Sequence, residues 1–72
     1  MRDWLFDNRK KLGLTQAQMA EKLDVSESYY SYIENGERQK NMDITLISRL
    51  AVIFHLTAQQ IVELEESWRS KT

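Results

Sequence analysis

The sequence predicts an all-α fold, a compact bundle of five short helices in a single domain over residues 1–72. Three observations carry this. Proline is absent, and the two glycines, Gly13 and Gly36, both fall where a helix should end. Four segments open alike, with an apolar residue, a capping residue and a second apolar residue four positions after the cap: Leu14/Thr15/Met19, Val25/Ser26/Tyr30, Met42/Asp43/Ile47 and Leu56/Thr57/Ile61. Each combines a helix N-cap with the hydrophobic staple that fixes the chain's approach to the helix. No stretch shows the period-two alternation of a half-buried strand.

These signals place the helices at about 2–12, 16–23, 27–35, 44–55 and 58–69. The first carries Trp4, Leu5 and Leu12 and stops at Gly13. The second starts in a capping box, Thr15…Gln18, and turns Met19, Ala20 and Leu23 inward; Ala20 is small where two helices cross closely. Asp24 stands at a turn that needs a left-handed residue, which Asp tolerates better than most. The third helix turns Tyr30 and Ile33 inward and closes at Gly36. The fourth contributes Ile47, Leu50, Ala51 and Phe54. The fifth starts in a second capping box, Thr57…Gln60, and carries Ile61, Leu64 and Trp68 at i, i+3 and i+7. Leu14, Val25 and Leu56 complete the expected core.

Composition narrows the function classes. A 72-residue chain buries roughly 60% of its unfolded surface, so its core must be efficient or helped by a partner. Without cysteine there is neither a disulfide framework nor a thiolate metal site. The longest apolar run, Ala51-Val52-Ile53-Phe54, is far short of a membrane span, and no cationic-then-apolar leader opens the chain, so a cytoplasmic protein is expected. No nucleophile–base pair, glycine-rich phosphate loop or zinc spacing appears, so no enzyme, cofactor or metal is expected. His55, the only histidine, reads as a partly buried helix residue. Glu63, Glu65 and Glu66 read as a solvated face.

The run from 15 to 35 reads as two short helices joined by a tight turn, a helix-turn-helix whose second helix is presented to the DNA major groove. The chain resembles the Cro/repressor-type (XRE-like) helix-turn-helix family of bacterial and phage transcriptional regulators, which share the lambda-repressor-like fold. The resemblance runs from about Leu5 to Ile61. It rests on Arg9 before Gly13-Leu14-Thr15-Gln16, then Met19-Ala20-Glu21-Lys22-Leu23, Val25-Ser26 and Ile33-Glu34-Asn35-Gly36. Three positions depart from it. Asp24 replaces the usual glycine, Asn8 replaces an apolar residue, and the loop Glu37-Arg38-Gln39-Lys40-Asn41 is longer and lacks proline.

With Tyr30 and Ile33 inward, Ser28, Ser31, Tyr32 and Asn35 point outward and Glu27 lies at the tip. Glu27, Ser28 and Tyr32 are the expected base readers, because a recognition helix reads with its N-terminal residues. A carboxylate accepts from a cytosine amino group, a serine pairs with several bases, and a tyrosine ring packs on a thymine methyl. Glu27 is also simply a favourable acid at a helix start. The expected backbone contacts are Gln16, Gln18, Tyr29, Ser31, Asn35, Arg38 and Lys40. The resemblance implies that Gln16 clamps a phosphate and that Arg9 and Glu34 form an ion pair setting how two helices meet. Ile61, Leu64 and Trp68 are the expected contact of a homodimer, although Trp68 could instead fold back on Met1 and Trp4. The expectation is a dimeric repressor binding a palindromic double-stranded operator. The formal net charge of −1 keeps open a helix-turn-helix antitoxin or adaptor whose main contact is another protein.

Overall fold

A computed structural model describes residues 1–36 and 42–71. These residues form five α-helices and no strand: α1 (Asp3–Lys11), α2 (Gln16–Leu23), α3 (Glu27–Asn35), α4 (Ile44–Phe54) and α5 (Ala58–Ser70). The chain divides into two units, Met1–Lys40 and Asn41–Thr72.

In the first unit α3 packs on both α2 and α1. The four expected N-caps all act as caps in the structure: the side chains of Thr15, Ser26, Asp43 and Thr57 accept from the backbone N–H of Gln18, Tyr29, Leu46 and Gln60. Both capping boxes are closed, with Gln18 and Gln60 accepting in return from the Thr15 and Thr57 N–H at 2.8 and 2.9 Å. Trp4, Leu5, Met19, Ala20, Leu23 and Tyr30 are buried. Asn8, one of the three departures from the resemblance, is half-buried. Its amide donates to the Trp4 carbonyl at 2.7 Å, one turn back, so its polarity is absorbed by its own helix.

In the second unit the chain turns through 108° between α4 and α5. Leu46, Leu50, Ala51, Phe54 and Ile61 are buried. No single helix among the described residues is long and apolar enough to cross a membrane.

Several placements differ from expectation. Leu12 is exposed, because α1 ends at Lys11 and Leu12 already belongs to the turn. Leu14, Val25 and Leu56 are only half-buried. A residue before the cap covers the start of its helix, while the partner four residues after the cap, Met19, Tyr30 or Ile61, reaches the fully buried layer. Ile33 and Ile47 are half-buried as well. Glu65 is buried rather than solvated, since it shares the inward side of α5 with Ile61 one turn earlier. His55 is exposed and is not a helix residue: it caps α4 in the left-handed region, φ 58°. Ile61 has no exposed surface and cannot reach a partner subunit, so the stripe available to one begins at Leu64.

Candidate nucleic-acid interface

The α2–α3 turn is built by a left-handed closure. Asp24, at φ 60° and ψ 44°, lets the Val25 N–H donate to the Ala20 carbonyl at 3.0 Å and its own N–H to the Glu21 carbonyl at 3.1 Å. Ser26 then caps α3 through the Tyr29 N–H at 3.1 Å. Two residues thus separate the closure of α2 from the first residue of α3, Glu27.

On α3, Glu27 and Ser28 are exposed, and Tyr29 and Tyr32 keep 47% and 44% of their surface in solvent. Ser28, Tyr32 and Asn35 recur at i, i+4 and i+7, so one outward face carries them. The Asn35 amide donates to the half-buried Ser31 hydroxyl at 3.3 Å, which ties the end of that face together. Gln18 is exposed with its carbonyl oxygen committed to the capping box. Arg38 and Lys40 lie outside the described residues.

The opposite face of α3 is anchored by Glu34, which is 1% exposed. Arg9 Nε donates to its Oε2 at 2.8 Å and Arg9 Nη2 to its Oε1 at 3.2 Å. Gln16 Nε2 donates to Oε1 at 2.6 Å and the Tyr30 hydroxyl to Oε2 at 2.9 Å. Burial alone would raise the Glu34 pKa. The bonds from Arg9, Gln16 and Tyr30, together with the Arg9 charge, outweigh it and hold the carboxyl below its ordinary range. For Tyr30, burial first and the Glu34 charge second push the phenol pKa far up, so the hydroxyl stays a donor. Arg9 also donates through Nη1 to the Leu14 carbonyl at 2.8 Å and lies 5.3 Å from the Phe6 ring centre. One carboxylate therefore ties α1, the first residue of α2 and α3 together.

A family model described as helix-turn-helix (HTH_3) matches residues 5–61. The chain belongs to the HTH_3, XRE-type helix-turn-helix family. A Bacillus subtilis (strain 168) protein named as the uncharacterized HTH-type transcriptional regulator YqaF is 38% identical over 45 residues, covering 62% of this chain and 59% of that one. The chain therefore spans less than two thirds of that relative's length. No solved structure matches the chain significantly.

Two contacts of this helix-turn-helix framework escape sequence reading, one made by Gln16, expected only at a phosphate, and one by Arg2. Gln16 is half-buried and points its amide nitrogen at Glu34, a contact across 18 residues with no local signature. Arg2 is 2% exposed and bonds to the far end of α3. The Tyr30–Glu34 contact does have a signal, the i, i+4 spacing on one helix. Among the described residues no group of His, Cys, Asp or Glu converges on a metal-sized site.

Proposed function

We propose that this chain is a DNA-binding transcriptional regulator that reads double-stranded DNA by inserting α3 into the major groove, acting as a dimeric repressor on a palindromic operator. The observation that carries this reading is the division of α3 into two faces. Glu34 and Tyr30 lock one face to α1 and α2, while Glu27, Ser28 and Tyr32 stand exposed on the other. A helix held on one side with an exposed polar and aromatic face on the other is what base reading requires. The HTH-type regulator it resembles supports the same reading.

In this reading Glu27, Ser28 and Tyr32 meet base edges. Gln18, Tyr29, Ser31, Asn35, Arg38 and Lys40 meet the sugar-phosphate backbone. Gln16 keeps one amide hydrogen on Glu34 and offers the other, with the backbone N–H groups of Gln16 and Ala17 ahead of the capped Gln18, to a phosphate. Leu64 and Trp68 join the two copies.

Selection from a random duplex pool at low salt tests it. The expected product is a pseudo-palindrome with half-sites ~10 bp apart, centre to centre. A pool that returns no enriched sequence overturns the DNA reading and favours a protein partner, which the net charge of −1 would suit.

A further inference from the structure

Like α1, α2 and α4, α3 closes at a left-handed residue: Gly36, at φ 73°, donates its N–H to the Ile33 carbonyl at 3.2 Å. The other three close across theirs: Leu14 N–H to the Arg9 carbonyl past Gly13, Val25 N–H to the Ala20 carbonyl past Asp24, and Leu56 N–H to the Ala51 carbonyl past His55. At α3 the Ile33 and Glu34 carbonyls are met by the start of the chain in addition to that local bond. The Arg2 backbone N–H donates to the Glu34 carbonyl at 2.7 Å, and Arg2 Nη1 donates to the Ile33 carbonyl at 2.6 Å, across 31 residues. The last turn of α3 has no basic residue of its own, so Arg2 supplies the cation at the negative end of the helix. Arg2 is at the same time the N-cap residue of α1, its carbonyl accepting from Leu5 and Phe6 at 3.0 and 3.1 Å. One residue is both the first link of α1 and the last link of α3.

We propose that Arg2 is a positioning residue for base reading: by clamping the carbonyl end of α3 to the start of α1 it sets the angle at which Glu27, Ser28 and Tyr32 meet a base pair, without touching DNA itself. The proposal rests on the DNA-binding reading above. Leverage makes the clamp matter. A nine-residue helix is ~13 Å long, so a tilt of ~5° about its far end moves the reading tip by ~1 Å. A hydrogen bond to a base edge does not survive a displacement of that size. Arg9 cannot replace the clamp, because it holds the side chain of Glu34 and the Leu14 carbonyl rather than the carbonyls of Ile33 and Glu34.

The test compares the full chain with Arg2→Met, which keeps the aliphatic stem and the backbone N–H but removes the guanidinium. Two readouts are taken below the melting temperature, with folding checked by circular dichroism. In the free protein, amide hydrogen exchange of α3 should speed up in the variant. On the duplex selected by the unaltered protein, the preference over a scrambled duplex should fall about tenfold, as expected for one misplaced base contact. The slope of log affinity against log salt should stay the same, because a residue that is 2% exposed meets no phosphate. An unchanged preference with only a lower melting temperature would make Arg2 purely structural and overturn the proposal. A shallower salt slope would make it a phosphate contact and overturn it equally. If the unaltered protein selects no duplex, the proposed function fails instead, and the exchange readout alone decides the clamp. Should Arg2→Met not fold, Arg2→Lys, which keeps a cation but loses the planar fork, is read in the same way.

Discussion

Glu34 stays ionised at 1% exposure only because donors from three other residues meet its two oxygens. Its folded-state pKa is lowered, so the folded protein binds that proton less tightly than the unfolded chain does. The stabilisation is therefore fully present above the group's ordinary value of 4.5 and is lost as pH falls through the lower folded value. Glu34→Gln should cost about 3–5 kcal/mol at neutral pH, since Arg9 is left buried opposite a neutral amide. The gap between variant and unaltered protein should narrow steadily below about pH 4.5. Urea unfolding from pH 7 to pH 3 measures this, and a gap independent of pH would mean the carboxylate's charge does not matter. The sequence resemblance implied the Arg9–Glu34 pair, because both positions fall in family words. It could not imply the ties of Gln16 and Arg2, which join residues 18 and 31 apart and depend on how the helices are placed rather than on local spacing.

Helix starts and helix ends are encoded with unequal strength. At a start, only a side chain that can accept from the N–H of the first turn will serve, so Thr15, Ser26, Asp43 and Thr57 are recognisable as letters. At an end, any residue can enter the left-handed region at a modest cost, so only the glycines announce themselves. That is why the end of α3 at Gly36 is legible in the sequence, while the apolar pattern extends α4 to His55, which the structure places at φ 58° as the cap. Asp24 lies between these cases, foreseen from the turn and from asparagine-like tolerance of that conformation. His55→Gly should therefore stabilise the protein. The substitution relieves about 1–2 kcal/mol of left-handed cost and gives back about 0.4–1 kcal/mol through a freer unfolded chain. At mid-range the net gain is about 0.8 kcal/mol, which corresponds to a rise of about 3–6 °C in Tm for a chain of this size. Asp24→Gly should gain less. Thermal melts followed by circular dichroism decide it, and a lower Tm for His55→Gly would mean that the imidazole makes a contact stronger than the strain it carries.

A pseudo-palindromic operator requires a two-fold protein, because half-sites one turn apart are met only by two reading helices related by the same symmetry. At the scale of the whole molecule, sequence pattern alone separates a core stripe from an interface stripe poorly, since both are apolar at helical spacing. Burial makes the separation. Ile61 has no exposed surface, whereas Leu64 and Trp68, one and two turns further on, are only half-buried. Leu64, with Leu56, Gln60 and Glu63, lines a hollow of about 320 Å³ with room for a partner's side chain. The exposed Glu63 and Glu66 would stand at the rim of such a contact, where charges cost little and repel DNA phosphates. Under the dimer reading, each copy gives a leucine and a tryptophan to the interface, and a buried tryptophan is a frequent anchor. Leu64→Ala with Trp68→Ala should then yield a folded monomer whose dimer dissociation constant has risen at least ~100-fold, equivalent to about 2.7 kcal/mol. Operator binding should weaken with it, because two linked half-site contacts become independent ones. Sedimentation velocity reads the assembly and circular dichroism reads the fold. An unchanged dimer places the interface elsewhere, and an unfolded chain assigns Leu64 and Trp68 to the core together with Ile61.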